Sequence, residues 1–509
     1  MSAPAAPAPA TPGSLQALQA RYGPRYRWRL LLSVMLGAMA ALVSSTVVNV
    51  AIPDLSHHFG LGQDAAQWVT SGFMAASVVA MLTTPWMLAR FGFRRTYVLC
   101  MAALIAGGVL GGVADHYALV LAARLAEGVA AGIVQPIPAI VILRAFGPDE
   151  QGRASGLFGM GVVLAPALGP SLGGLLVDAW GWRAIFFLVV PFGLVSWALA
   201  RRYVPVTAPG GVPARPGLAP DVAGLALAAA ATLALLLGLS ALHAGPPGHA
   251  AALLALAGVL LAAFVTWQQR RARRGRPEPL MHLGVFGQRA FAAGSVVSLI
   301  YGAALFGSTY LFPVYLQLGL GLSASWVGAL LLPAGLVLAL TIAVVGRLAD
   351  RQPAHRLVTV GLALLTLSFV AFALVPAGAP LGLLVALAVL GRVGLGFVLP
   401  SLNLGAMRGL PAAQLPHGSS AINLLRMLGG AAGVSVCGVL LEWRLAAHGV
   451  TAMGPGGPGA TADAAALAAA APARLAAFAD TFWLLAAVCA LALLSARALR
   501  PPHRPEGRR

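Results

Sequence analysis

Glu127 is the one carboxylate well inside a long apolar run of this sequence, and Arg124 stands three residues before it. On a helix that spacing puts both on one face. An ionisable group in a bilayer costs about 2.5–3.5 kcal/mol even on a lenient scale, and by default it marks function. A carboxylate that alternates between a dry setting and the field of a guanidinium can take up and give back a proton, so the pair reads as a proton switch. The plainer reading is a fixed ion pair that relieves two burial penalties. Arg392 and Arg426 also lie inside apolar runs, with no acidic helical neighbour. They either bond carbonyls and hydroxyls across a bundle or build a positive cavity for an anion. Trp68, Phe73, Trp86, Tyr301, Phe306, Tyr310, Tyr315, Gln317 and Asn423 are the further side chains that could line a cavity.

Other chemistry is absent from the pattern. All 33 basic residues are Arg, which removes a phosphate-loop lysine and a Schiff-base lysine. No HExxH and no Ser/His/Asp grouping marks an enzyme. His57, His58 and His116 fall at span ends rather than within spans, so no metal site is expected. Gly394 and Gly396 sit in an apolar helix, without the strand and turn of a dinucleotide site. Cys100, Cys437 and Cys489 all lie in apolar stretches and read as packing residues.

The elements that must hold these residues are membrane helices. Of the 509 residues, 59% are hydrophobic and 9% charged, against about 25% charged in soluble domains. Mean hydropathy is +0.86. So few charges cannot cover a globule of this size in water, and the chain is read as an all-α polytopic membrane protein. Apolar runs predict 14 spans, near 30–52, 66–88, 96–114, 117–143, 154–178, 183–203, 221–242, 249–268, 290–318, 325–346, 357–376, 381–407, 417–441 and 480–498.

With the N-terminus inside, 27 arginines fall in cytoplasmic segments and three, Arg183, Arg444 and Arg474, in external ones. That asymmetry puts both termini in the cytoplasm. It also accounts for the net charge of +19 through topology signals and lipid headgroups rather than nucleic acid. The organisation expected is a disordered basic tail over 1–29, a six-helix bundle over 30–206, and a linker with two inserted helices over 207–276. A second six-helix bundle follows over 277–500, with an external loop at 443–479, and a cytoplasmic tail over 501–509.

The two bundles repeat one another. Spans two and ten both begin Trp-Val, at Trp68-Val69 and Trp326-Val327, and both end in an Arg-bearing turn: Pro85 to Gly92 with Arg90, and Gly346 to Arg351 with Asp350. Spans four and twelve share Gly, three residues, Pro, at Gly132–Pro136 and Gly396–Pro400. Spans five and thirteen are rich in small residues. A parallel repeat joined through an insert suits alternating access by rocking halves.

At these residues the chain resembles the major facilitator superfamily, and more narrowly its 14-span drug/proton antiporters of EmrB/QacA type. The first span reads Ser44-Ser45-Thr46-Val47-Val48-Asn49-Val50-Ala51-Ile52-Pro53, where the family has Asp-x-Thr-Ile-Val-Asn-Val-Ala-Leu-Pro. The fifth reads Ala165-Pro166-Ala167-Leu168-Gly169-Pro170-Ser171-Leu172-Gly173-Gly174, similar to the antiporter motif Gly-x-x-x-Gly-Pro-x-x-Gly-Gly. Trp180 to Phe187 with Pro191, Pro279-Leu280 with Phe286 and Phe291, and Asn423 and Arg426 with Gly429 and Gly433 match the starts of span six and span nine and the body of span thirteen. Three motifs depart: Ser44 replaces the membrane Asp, Pro85 and Ala89 replace the Gly and Asp of the first cytoplasmic turn, and Glu127 replaces Gln in Arg-x-x-Gln-Gly.

The resemblance implies a secondary active exporter of small amphiphilic or lipophilic compounds in a bacterial cytoplasmic membrane, powered by the proton gradient and using no cofactor. Glu127 with Arg124 would then supply the protonation site missing at Ser44. Ser44, Asn49, Trp68, Phe73, Tyr310, Gln317, Arg392, Asn423 and Arg426 would face substrate. Pro166, Gly169, Pro170, Gly173 and Gly174 would form a hinge, and Arg90, Gly92, Arg94, Gly346, Asp350 and Arg351 a cytoplasmic gate. A periplasmic adaptor and outer-membrane channel are allowed as partners. Two alternatives stay open: export of an anionic metabolite or drug through the membrane arginines, and a receptor or membrane enzyme that transports nothing.

Overall fold

The computed structural model describes residues 15–207, 214–244, 247–274, 279–376, 378–449 and 471–499. The side chains of Gln63, Asp64, Pro166, Ala167, Leu168, Pro170, Ser171, His243, Ala244, Pro247, Ala324 and Ser325 lie outside the described set. So do the first 14 residues, the middle of the expected linker, most of the expected external loop and the expected cytoplasmic tail from residue 500 on.

The described chain is helical throughout. In order the α-helices are α1 (Leu15–Tyr22), α2 (Tyr26–Val47), α3 (Ile52–Phe59), α4 (Gln63–Met81), α5 (Thr84–Phe91), α6 (Phe93–Gly112), α7 (Tyr117–Val134), α8 (Ile137–Ala145) and α9 (Gln151–Trp180). They continue as α10 (Ala184–Tyr203), α11 (Val222–Ala244), α12 (Pro247–Arg273), α13 (Arg289–Val314), α14 (Ala324–Leu348), α15 (Ala354–Ala373), α16 (Leu381–Met407), α17 (Leu415–Ala447) and α18 (Ala471–Ala496). Among the described residues, twelve helical segments are long and apolar enough to cross a membrane, or 13 if α4 and α5, bent by 57° at their junction, count as one span.

Three expected spans are broken, and each break has a proline behind it. Val48–Ala51 tightens to a 3-10 turn before α3, which carries Pro53 in its first turn. α5 starts at Thr84 with Pro85, and α8 starts at Ile137 with Pro138. Proline lacks the N–H that a continuing helix needs, but the first turn of a new helix leaves that donor unused. In the second half Pro313, Pro333 and Pro400 sit inside unbroken helices.

Two boundaries correct the sequence reading. The tail expected to be disordered through residue 29 is helical where it is described, in α1 and then in α2 from Tyr26. The loop expected at 443–479 is shorter, because α17 runs to Ala447 and α18 begins at Ala471. Charged residues such as Arg21, Arg27, Arg29, Arg444 and Arg474 lie inside the helices beyond the apolar runs, so the apolar run alone set those limits too tightly.

The chain forms two compact units: one of residues 1–154, 165–222 and 271–281, the other of residues 155–164, 223–270 and 282–509. Within the first, α10 packs on α2 and α6, α6 on α7, and α4 on α7. Within the second, α18 packs on α13 and α15, α15 on α16, and α14 on α16. These are the same partnerships in the same chain order, so the repeat seen in the sequence is also a repeat of packing. A fifth partnership rests on glycine in both units. A Cβ on Gly173 of α9 would sit 2.8 Å from Val47 Cγ2 of α2, and one on Gly433 of α17 would sit 2.5 Å from the Ala303 backbone of α13. Small residues let membrane helices approach this closely.

The first core gathers Val43, Val47, Leu55, Val69, Trp182 and Phe186. The second stacks Phe312, Phe369, Phe372 and Phe482, with Tyr315 and Phe478 edge-on. The inserted pair α11 and α12 meets where a Cβ on Gly238 would touch Leu254 at 2.9 Å.

Candidate functional site

α2, α4, α6 and α7 of the first unit enclose a cluster of charged and polar groups in a mainly apolar interior. Arg124 and Glu127, both on α7, are 0% exposed. Arg124 Nη1 donates to Glu127 Oε2 at 2.5 Å and to Ser44 Oγ at 2.7 Å. The Ser44 hydroxyl in turn donates to Glu127 Oε2 at 3.0 Å. Arg124 Nε donates to the Val69 carbonyl of α4 at 3.2 Å, and the guanidinium lies 4.3 Å from the centre of the Phe73 ring.

The other ends of the pair are empty-handed. Glu127 Oε1 and Arg124 Nη2 are buried and have no hydrogen-bond partner. A buried polar atom left unpaired costs about 1–3 kcal/mol, so this geometry is suited to receive something: a proton at Oε1 or an acceptor at Nη2. Room for the carboxylate comes from α6. A Cβ on Gly107 would meet Glu127 Cγ at 2.5 Å, and one on Gly108 would lie 3.6 Å from Oε1. The fit of Glu127 therefore depends on two adjacent glycines of a neighbouring helix.

Of the residues read from sequence, the structure thus brings together Ser44, Phe73, Arg124 and Glu127. Phe73 is buried beneath the guanidinium instead of facing an open cavity. Asn49, in the turn between α2 and α3, accepts from Thr70 Oγ1 at 2.9 Å, on the accessible side of the helix pair. Trp68 is 43% exposed and stands apart from the cluster.

The second unit holds another group. Arg426 Nη2 donates to Asn423 Oδ1 at 2.6 Å, and Asn423 Nδ2 donates to the Ser419 carbonyl at 2.9 Å. Arg392 Nη1 donates to Thr309 Oγ1 at 3.2 Å. Tyr310 is half-buried on α13, and Gln317 is exposed in the wider helical turn Tyr315–Gly319 that follows it. Thr70, Val69, Thr309 and Ser419 were not singled out from sequence. Hydroxyls and carbonyls in apolar runs give no signal until a partner is seen beside them.

The remaining positions are placed as follows. Gly169 and Gly173 of α9 press on Thr46 and Val47 of α2, while Gly174 faces open space. Pro166 and Pro170 lie along the same helix, and their side chains are outside the described set. At the expected gate, Arg90 Nη1 donates to the Leu218 carbonyl at 2.7 Å, and Arg94 Nε to the Val204 carbonyl at 2.6 Å. Trp86 Nε1 also donates to Leu218, at 3.2 Å, and Arg215 N donates to Ala89 O at 2.8 Å. Gly92 between them has φ 79° and faces the Val206 carbonyl, so both backbone and space exclude a side chain there. Gly346 lies where a Cβ on Gly156 would come within 2.7 Å of its Cα. Asp350 and Arg351 follow in the turn after α14, with Arg351 exposed.

A repeated pair of helical units, each wrapped around membrane-embedded arginines, is the build of a secondary transporter. The family model described as Major Facilitator Superfamily matches residues 34–434, and the chain belongs to that superfamily. Among its relatives, a Mycobacterium tuberculosis protein named "Multidrug resistance protein B homolog" is 30% identical over 86% of this chain and 81% of its own. The Haemophilus influenzae "Multidrug export protein EmrB" is 28% identical over 82% and 81%. The solved proton:xylose symporter XylE shares the fold, with a TM-score of 0.61 at 14% identity over 93% of this chain and 95% of that one. The protein is a multi-pass membrane transporter, and its family and fold are not those of an enzyme.

Proposed function

We propose that the protein is a 14-span exporter of small amphiphilic or lipophilic compounds, driven by proton influx, in a bacterial cytoplasmic membrane with both termini inside. The observation that carries the proposal is the half-held carboxylate: Glu127 Oε2 is gripped by Arg124 and Ser44, while Oε1 is buried and unpartnered. A proton arriving at Oε1 neutralises the carboxylate and dissolves the ion pair with Arg124. The guanidinium then keeps the Val69 carbonyl, the Ser44 hydroxyl and the Phe73 face as partners. Loss of the proton restores the pair. The pair that dissolves lies within α7, so Arg124 keeps its ties to α2 and α4, while the bond from Ser44 to the carboxylate, the tie between α2 and α7 that depends on Glu127, is weakened. A change in the strength of a tie between helices is what a rocking mechanism needs.

The span count combines the 13 just described with α9, whose 30 residues measure about 45 Å. Relatives named for multidrug resistance and export support the substrate class. One exchangeable carboxylate supports one proton per cycle, worth about 2.3 kcal/mol per 100 mV if one charge crosses. The test is accumulation of a lipophilic monocation such as ethidium in inverted membrane vesicles. Accumulation that stops when a proton ionophore collapses the gradient supports the proposal, and accumulation that continues without a gradient sinks it.

A further inference from the structure

The second unit contains two guanidiniums that its own side chains do not neutralise. Arg392 of α16 and Arg426 of α17 bond only neutral acceptors, Thr309 and Asn423, and among the described residues neither has a carboxylate within 4 Å. An ion pair with a protein acid would be the ordinary way to keep a charge inside a bilayer. Here that partner is missing twice, on two helices that both pack against α13.

A third group points the same way. Tyr301 of α13 is 0% exposed, and its hydroxyl has no hydrogen-bond partner. Its helix meets both arginine-bearing helices: Gly302 packs against the Arg426 carbonyl of α17, and Thr309 accepts from Arg392 of α16. A Cβ on the next residue, Gly302, would collide with the Arg426 carbonyl, and one on Gly429 with the Leu299 carbonyl, so α13 and α17 touch backbone to backbone at the level of Tyr301 and Arg426. Two forked guanidiniums and a spare phenol O–H are a donor set without a charged acceptor, and a carboxylate matches the fork bidentately.

The surroundings are apolar. The Arg392 guanidinium carbon lies 6.0 Å from the centre of the Phe312 ring. Ala388, one turn before Arg392 on the same helical face, lines a narrow cleft with Phe312, Tyr315, Leu384 and Phe372. In this conformation the cleft holds about 10 Å³, no more than one water, so an apolar group enters only as those side chains part.

We propose that Arg392, Arg426 and the Tyr301 hydroxyl form a binding site for the carboxylate of an amphiphilic organic anion, whose apolar part lies against Phe312 and the adjoining cleft. This rests on the exporter reading above and names the class of substrate for it. Arg392 and Arg426 supply the charge, and Tyr301 adds a directional hydrogen bond that a lipophilic cation cannot use.

The test uses three probes of one ring size on the full-length protein in nanodiscs: naphthaleneacetate, the neutral naphthaleneacetamide and the cationic naphthylmethylammonium. Naphthaleneacetate is expected to bind at least about ten-fold tighter than the amide. Arg392→Gln and Arg426→Gln are each expected to erase most of that preference and leave amide binding unchanged. Equal affinity for acetate and amide, or an acetate affinity unmoved by both substitutions, would overturn the site. If the glutamine variants do not fold, Tyr301→Phe and Arg426→Lys carry the test, and an acetate affinity unchanged in both overturns it. Vesicle measurements separate the two proposals. Protons released by the cationic probe, without acetate binding, sink the anion site and leave the exporter. Arginine-dependent acetate binding, with no proton movement for any probe, sinks proton-coupled export and leaves the site.

Discussion

The Ser44 hydroxyl on α2 donates to Glu127 Oε2 on α7 at 3.0 Å, and Arg124 Nη1 reaches both residues. Ser44, at the position where the antiporter pattern that the chain resembles has Asp, is therefore in direct contact with the buried carboxylate of Glu127.

Arg124→Gln is expected to destabilise the protein more than the double variant Arg124→Gln with Glu127→Gln. Removing one partner of a buried pair strands the other charge, at a cost of about 3–5 kcal/mol, whereas removing both leaves neutral groups. The fraction remaining monodisperse in detergent after heating checks this. A double variant as labile as the single would show that Glu127 does not depend on Arg124.

The glycine contacts predict a sharp contrast. Gly433→Ala places a methyl 2.5 Å from the Ala303 backbone, where no side chain can turn aside, and should cost about 1–3 kcal/mol through forced helix separation. Gly174→Ala has nothing within 4 Å to meet and should leave stability unchanged. Melting curves of the two purified variants decide it, and equal loss in both would remove close helix approach as the reason for the glycine.

The strand of chain at Arg215–Leu218 is strapped to α5 and the turn after it by Trp86, Arg90 and the Ala89 carbonyl. The three native cysteines are buried, so Leu218→Cys, at a position that the closed strap covers, gives a clean reporter. An impermeant maleimide should label it in inverted vesicles and not in intact cells. Adding Trp86→Phe and Arg90→Gln should speed labelling several-fold, since each lost bond was worth about 1 kcal/mol to the closed strap. Labelling from the outside of intact cells would reverse the proposed topology.

Much of this was legible in the sequence. Apolar runs marked the helices long enough to cross a membrane, the Trp-Val starts and small-residue stretches disclosed the repeat, and the i, i+3 spacing put Arg124 beside Glu127. What faced what was not legible. In a soluble helix the buried face is the apolar one, but here the lipid-facing and core-facing sides are both apolar, so periodicity does not separate them. Hence Phe73 was read as lining a cavity and is found beneath a guanidinium. The unpaired Tyr301 hydroxyl was one aromatic among many, and Gly107 and Gly108, which make space for Glu127, drew no notice. Long-range glycine contacts leave no local trace: Gly302 and Gly429 matter because of carbonyls on another helix.

The central claim is that Glu127 carries the coupling proton. The direct measurement is substrate-induced proton release from acid-loaded inverted vesicles, comparing wild type with Glu127→Gln inserted at the same level. Glutamine keeps the size of the side chain and a hydrogen-bonding oxygen, but it cannot exchange a proton in this range. Release is expected from wild type and none from Glu127→Gln, with substrate still bound by both. Equal release from the two would contradict it, and would make the Arg124–Glu127 pair a fixed structural tie between α7 and its neighbours.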